Sequence, residues 1–269
     1  MRVPFVKMHG LGNDFVVLDA RTDALPPVSK SLARALADRH TGIGCDQLVV
    51  LQPSDDADFA MQIFNADGGE VEACGNATRA VALLHGKAAR IWTVAGVLEA
   101  RPSESGIAVE LAAPKFEWDA IPLADPMDTL DMPVGWDVLE RPMAVNVGNP
   151  HVVFFVPDCD AVALDLLGPA IEHDPLFPDR INVNVATVEN RRLIRLRVWE
   201  RGAGLTRACG TGACATAVAA MRRGLVEPSV TVVLPGGELR IEWDGQGPIT
   251  MTGAAAESFR GTFEWGDFA

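Results

Sequence analysis

Two stretches of this 269-residue chain repeat one arrangement half a chain apart. FNADGGEVEACGNATRAVALL (64–84) sets Cys74 between a glycine-rich loop and an apolar run with helical spacing. WERGAGLTRACGTGACATAVAA (199–220) sets Cys209 at the matching point. The correspondence extends well beyond these blocks. Gly148-Asn149 followed by the apolar run from Val152 to Val156 answers Gly12-Asn13 followed by Phe15 to Leu18. Asn182 answers Gln47, Glu200 answers Asn65, and the alternating stretch from Leu193 to Trp199 answers that from Asp58 to Phe64. So long a match, shifting by a single residue along its length, marks an internal duplication. Coincidence between two alanine-rich helices would explain A-C-G twice, but not the paired Gly-Asn turns as well.

The duplication fixes the fold class. Each half reads as a strand, a glycine turn and a strand, then a short helix, two further strands, the cysteine helix and a hairpin. In the first half the short helix is Ser31 to Arg39, with Leu32, Ala35 and Leu36 on one face. Its counterpart is Leu164 to Glu172. The run Phe15 to Leu18 is continuously apolar and is expected to be buried on both faces. Gly10 and Gly12 are expected to supply positive φ in the HGLGND turn, and Gly86 reads as a helix C-cap. Both cysteine helices are apolar or small on nearly every side, which requires enclosure by strands of their own half. The expectation is therefore an α/β chain of the α+β type. Two pseudo-symmetric domains each wrap a mixed sheet around a central buried helix, with the active site in the cleft between them. Pro114, Pro122, Pro126, Pro133 and Pro142 mark the crossing.

Composition removes several function classes. With 48% hydrophobic residues the chain can bury a large core, while a net charge of −13 gives an acidic surface without basic stripes. Nucleic acid and anionic membrane are thereby excluded as partners, because phosphate contacts need clustered Lys and Arg. No apolar run approaches a membrane span and the first residues, MRVPFVKMHG, lack a secretory pattern, so a cytoplasmic location is expected. The five cysteines, at 45, 74, 159, 209 and 214, form neither a disulfide framework nor a zinc pattern. Four lysines, none in a Schiff-base setting, give no indication of pyridoxal chemistry.

The cysteine settings carry the chemistry. The start of a helix presents unpaired N–H groups and partial positive charge, which bind carboxylates and favour a thiolate. Cys74 and Cys209 are accordingly expected at exposed helix ends and partly ionised near neutral pH. If the halves pack about a pseudo-twofold axis, a molecule between the helix starts meets a sulfur on each side. One thiolate can then remove a proton while the opposite thiol delivers one, inverting a tetrahedral carbon. Reversible inversion needs two groups of similar pKa, and a duplicated environment supplies them. Cys45, Cys159 and Cys214 read instead as small buried hydrophobes. Asn13, Asn65, Asn149 and Asn182 are ordinary turn residues one at a time, but at corresponding places beside glycines they suggest a polar ligand cage. His9 and His151 can be purely structural.

KMHGLGNDFVVLD, GIGCDQL, FNADGGEVEACGNATR, VNVGNPHVV, ERGAGLTRACGTGACA and LPGGELRIEW together resemble the diaminopimelate epimerase family, over nearly the whole chain. The resemblance implies a cofactor-independent two-base epimerase that interconverts LL-2,6-diaminopimelate and meso-diaminopimelate, for lysine and peptidoglycan synthesis, with a small-molecule amino-acid substrate and no metal. It implies domains of residues 1–114, with 254–269 returning to the first, and 115–253. By the same likeness Cys74 and Cys209 are the acid/base pair, and Gly75, Asn76, Gly210 and Thr211 hold the carboxylate at the reacting carbon. Asn65, Asn149, Asn182, Glu200 and Arg201 recognise the distal centre, and Asn13 and Gln47 also line the site. Arg201 suits a carboxylate by bidentate pairing, and Glu200 suits an ammonium. His151 and Glu200 match positions that tune the thiols. Departures are Thr78, Leu205 and the lack of any tyrosine. Phe259 stands where many members carry a tyrosine that helps form a homodimer.

Three alternatives remain open at this stage. A proline or hydroxyproline racemase uses a similar cysteine pair but leaves Arg201 and Glu200 without partners. A binding protein would use the sulfurs only for packing, and a thiol–disulfide oxidoreductase lacks its C-x-x-C.

Overall fold

The structure is a computed structural model that describes residues 1–71 and 74–268. They form two compact units, Met1–Val109 with Gly253–Ala269, and Glu110–Thr252.

The first unit opens with an antiparallel hairpin of β1 (Arg2–Gly10) and β2 (Asn13–Asp19). Leu11 (φ 57°) and Gly12 (φ 85°) make its turn. Gly10 is not a turn residue, contrary to expectation, and its lack of a side chain serves packing. A Cβ there would lie 3.2 Å from both Arg79 Nη2 and the Asn76 carbonyl. Helix α1 (Lys30–Ala37) is capped by Ser29, whose side chain accepts from Leu32 N. It buries Leu32, Ala33, Leu36 and Ala37, so the apolar stripe is turned slightly from the expected face through Ala35. β3 (Gln47–Gln52) runs parallel to β2, and β4 (Phe59–Asn65) antiparallel to β3. The two-residue β5 (Glu70–Val71) folds back on β4. Helix α2 (Gly75–His85) ends at Gly86, whose φ of 80° closes a left-handed cap on the Ala82 carbonyl. β6 (Ala89–Thr93) then pairs parallel with β4, β7 (Gly96–Ser103) antiparallel with β6, and β8 (Gly106–Leu111) follows.

Strand alternation divides the unit into two cores. Val16, Leu18, Leu48 and Val50 cluster with the buried face of α1. Phe15, Val17 and Val49, also fully buried, belong to the opposite side of the sheet. Every residue of α2 from Asn76 to Ala82 is buried, and the helix packs against β1, β2, β6 and β7.

The second unit replays this order. The short hairpin β9 (Gly135–Trp136) and β10 (Leu139–Glu140) precedes β11 (Met143–Asn146) and β12 (Pro150–Phe155), themselves antiparallel. After α3 (Leu164–Glu172), β13 (Asn182–Asn190) lies parallel to β12, and β14 (Leu193–Glu200) antiparallel to β13. β15 (Gly204–Thr206) folds back on β14, as β5 does on β4. Helix α4 (Gly210–Arg222) leads to β16 (Ser229–Leu234), parallel to β14, and then to the antiparallel β17 (Gly237–Glu242). β18 (Ile249–Gly253) completes the unit, and β19 (Ala256–Glu264) returns to pair antiparallel with β1 and contact α2. Helix α4 is buried from Ala213 to Ala220 and packs against β11 to β14, β16 and β17.

The proline-rich stretch is more than a crossing. Ile121, Leu123, Met132 and Leu139 enter one cluster with Val152, Phe154, Leu164 and Val183. The prolines deny it long strands, while its short apolar pieces still gain from burial. Among the described residues, no helix is long and apolar enough to cross a membrane.

Helix α3 approaches β14 so closely that a Cβ on Gly168 would fall 2.5 Å from the Trp199 ring. Gly168→Ala is therefore expected to destabilise the protein by about 1–3 kcal/mol through overpacking. The urea midpoint checks this; an unchanged midpoint would mean that the helix shifts freely.

Candidate active site

In the first unit the site begins where α2 does. Cys74 is the N-cap, with extended backbone (φ −147°, ψ 114°), and its carbonyl accepts from both Thr78 N and Thr78 Oγ1 at 2.9 Å. Its half-buried thiol points to Asn13 Oδ1 at 3.9 Å. Asn13 also accepts from Asn76 Nδ2 at 3.1 Å and donates through its own Nδ2 to Asp46 Oδ2 at 3.1 Å. Asn76 Oδ1 in turn accepts from Arg79 Nη2 at 2.7 Å. The run Arg79, Asn76, Asn13, Asp46 thus has a pure donor at one end and a pure acceptor at the other, which fixes both amide orientations. On the neighbouring strands Gln47 Nε2 donates to Asn65 Oδ1 at 2.9 Å. Gln47 Oε1 is buried without a hydrogen-bond partner among the described residues.

In the second unit Cys209 caps α4 with the same extended backbone (φ −120°, ψ 108°). Its Sγ accepts from Gly212 N at 3.4 Å and lies 3.6 Å from Thr211 Oγ1. It is only 3% exposed, so this helix start is not the exposed end anticipated from the sequence. The expected depression of the thiol pKa is overturned with it. Burial pushes the Cys209 thiol well above its ordinary value, and the charge of Glu200 beside it pushes the same way. The bonds from Thr211 and Gly212 oppose them without prevailing. Removing a thiolate from water outweighs what one helix terminus returns. Glu200 is itself held by the Thr206 hydroxyl.

The remaining residues expected at the site lie around the ends of β12 to β14. His151 is fully buried, with Nε2 2.9 Å from Asn149 Oδ1 and Nδ1 3.1 Å from Asn184 Nδ2. Asn182 spends its amide inside the unit, donating to the Pro150 carbonyl at 2.8 Å and accepting from Arg201 N at 3.0 Å. It clamps the strand ends together. Arg201 is exposed and reaches the Asp179 carbonyl at 3.0 Å. The helix geometry gives the N–H groups of Gly75, Asn76, Gly210 and Thr211 no acceptor within α2 or α4.

Four participants were not singled out from the sequence: Asp46, Arg79, Asn184 and Thr206. Two of them left a signal. Arg79 is a charge in the middle of a buried helix, and Asn184 shares the face of Asn182 and is flanked by the buried Val183 and Val185. Cys45 is packing, as expected, and burial pushes its thiol up to about 11. Asp158, Cys159 and Asp160 come close enough to share an ion, but Arg195 bonds to both carboxylates.

A family model described as diaminopimelate epimerase matches residues 5–113 and 143–257. A protein named diaminopimelate epimerase from Erythrobacter litoralis (strain HTCC2594) is 67% identical over 269 residues, covering 100% of both chains. One of the same name from Sphingopyxis alaskensis (strain DSM 13593 / LMG 18877 / RB2256) is 64% identical over 266 residues, 98% of each. Among solved structures, a hydroxyproline epimerase from Agrobacterium vitis superposes with a TM-score of 0.70 at 16% identity, over 97% of this chain and 91% of that one. A phenazine biosynthesis protein of the PhzF family from Enterococcus faecalis gives 0.72 at 14% identity, over 98% and 100%. At such identities the likeness is one of fold.

Because the charge of Glu200 adds to the rise at Cys209, Glu200→Gln is expected to lower that pKa. Alkylation of Cys209 by iodoacetamide, followed by peptide mass spectrometry in a Cys74→Ala background, should move to lower pH. A profile that stays in place would show that burial alone sets the thiol.

Proposed function

The chain belongs to the diaminopimelate epimerase family, and from that premise we propose that it interconverts LL-2,6-diaminopimelate and meso-diaminopimelate. Cys74 and Cys209 are the two bases. One, as thiolate, takes the proton from the α-carbon. The other, as thiol, gives a proton to the opposite face of that carbon. No bond other than these C–H and S–H bonds changes and no electrons leave, so the step needs no oxidant, and in this reading the two thiols act without a cofactor. The two sulfurs exchange protonation states with each turnover, and the return reaction runs through the same pair.

The observation that carries this reading is the repetition of one device. In each unit a cysteine is the N-cap of a buried helix, and a helix start is where a carboxylate is bound. Gly75 with Asn76 and Gly210 with Thr211 hold the carboxylate at the reacting carbon and spread the charge that builds there. Asn65, Asn149, Glu200 and Arg201 recognise the distal amino-acid centre, together with Asn182 through the amide hydrogen that it does not give to the Pro150 carbonyl, and Asn13 and Gln47 also line the site. Burial and Glu200 keep Cys209 protonated at rest, which suits it to the acid role first. An ammonium group at Glu200 would neutralise the charge that raises the thiol, so substrate itself would bring Cys209 nearer to ionisation.

The same reading makes the product a precursor of lysine and peptidoglycan and places the protein in the cytoplasm. It divides the chain at residues 1–114 with 254–269, and 115–253. It also includes a homodimer through the face of β19 that carries Phe259, which is 50% exposed and packs edge-on to Phe5.

Incubation with the LL isomer in D2O, without added cofactor, should place deuterium on the α-carbon, while proline run beside it should stay unlabelled. Cys74→Ala and Cys209→Ala should each lower kcat by at least about 10²-fold. Labelling of proline instead, or a single-cysteine variant with full turnover, would sink the two-thiol reading.

A further inference from the structure

Asn184 lies on the α4 side of β13, two residues beyond Asn182, and is fully buried. Its Nδ2 stands 3.1 Å from the Val152 carbonyl and 3.1 Å from His151 Nδ1. A carbonyl oxygen only accepts, so the group facing it is the NH2 and the amide has one possible orientation. The second hydrogen of that NH2 is directed at His151 Nδ1, which must accept it. A neutral imidazole that accepts at Nδ1 carries its proton on Nε2, and Nε2 is 2.9 Å from Asn149 Oδ1. The carbonyl end of Asn149 is therefore turned to the ring and its NH2 away from it. Enclosure keeps the ring neutral: burial pushes the His151 pKa down to about 3, and the charge of Arg201 pushes the same way.

The duplication supplies an internal control. β2 pairs with β3 at Phe15 and Gln47 in the register in which β12 pairs with β13 at His151 and Asn182. His151 thus stands where the first unit has Phe15, and Asn184 where it has Val49, both fully buried. The fold is content with an apolar pair at these two places. The second unit instead puts two polar side chains there and leaves Asn184 Oδ1 buried without a hydrogen-bond partner among the described residues, an arrangement that costs stability. That oxygen sits against the first turn of α4: a Cβ on Gly212 would lie 2.7 Å from it and 3.2 Å from Cys209 Sγ.

We propose that Asn184 is a positioning residue for ligand recognition: it locks His151 in the Nε2–H tautomer, and the ring holds Asn149 with its NH2 presented as a donor to a carboxylate. The carbonyl end is turned to the ring, so what the amide presents to a ligand is a donor, which suits a carboxylate and not an ammonium group. The inference deepens the proposed function, resting on its reading of Asn149 as a ligand residue, but the tautomer is a property of the free protein.

The test is nitrogen NMR of the wild-type protein labelled at its histidine rings, from about pH 5 to 8. His151, assigned by loss of its signals in a His151→Phe variant, should show a neutral Nε2–H ring that does not titrate. An Nδ1–H ring, or one that becomes charged in this range, would overturn the proposal. Asn184→Asp replaces the donor with an acceptor, so the ring should move its proton to Nδ1. KM for the LL isomer should then rise about tenfold or more, with a smaller change in kcat. A switched tautomer with unchanged KM would also overturn it. Should Asn184→Asp not fold, the double variant His151→Phe/Asn184→Val copies the first unit and takes its place. It should fold and show the same rise in KM, and wild-type affinity in it would refute the role. Wild-type protein that fails to turn over the LL isomer while keeping the Nε2–H ring would count against the proposed function and leave the tautomer lock supported.

Discussion

A helix without a polar face is stable only when something encloses it, and this chain contains two. α2 and α4 are buried along almost their whole length, so each unit must wrap strands around its own helix. The alternation of parallel and antiparallel pairings in the two units follows from that need. Strand order, the short covering helices α1 and α3, and the placement of the glycine turns are consequences. Enclosure also dictates where chemistry can occur. Side chains along the helix body are committed to packing, which leaves the first turn as the place where a ligand can be met.

The same enclosure sets the electrostatics of the cysteines. A helix terminus offers partial positive charge, but that benefit is modest beside the cost of holding a thiolate away from water. At Cys209 the balance is visible: Gly212 N and Thr211 support the anion, and burial with Glu200 opposes it more strongly. A high resting pKa is no obstacle to reversible proton transfer when an acid is needed on one side. On the proposed function it makes ionisation conditional on what binds next to Glu200. Asn13, in contrast, has its orientation fixed by Asn76 and Asp46 and offers the Cys74 thiol an acceptor.

The two units share a fold and have diverged in their polar interiors. Gln47 and Asn65 bond to each other in the first, whereas their counterparts Asn182 and Glu200 have separate tasks. Phe15 and Val49 are replaced by His151 and Asn184. Duplication supplies two matched helix starts, and substitution at a few inward strand positions makes the surroundings unequal. On the proposed function both matter: a matched pair of bases at the stereocentre that inverts, and unequal surroundings that tell one end of the ligand from the other.

The sequence by itself determined the duplication, the type and order of the main elements that the two halves share, the two capping cysteines and the family. These are legible because they rest on local rules: apolar periodicity, glycine at helix ends and repetition along the chain. Only the tertiary structure decided that Gly10 makes room for Arg79 and Asn76 rather than for a turn, that Cys209 is enclosed, and that Asn182 serves as a clamp. It alone brought Asn184 against His151 and Arg79 against Asn76. A hydrogen-bond partner distant in sequence leaves no period to read, and a thiol's pKa depends on how much water surrounds it, which no spacing of residues records.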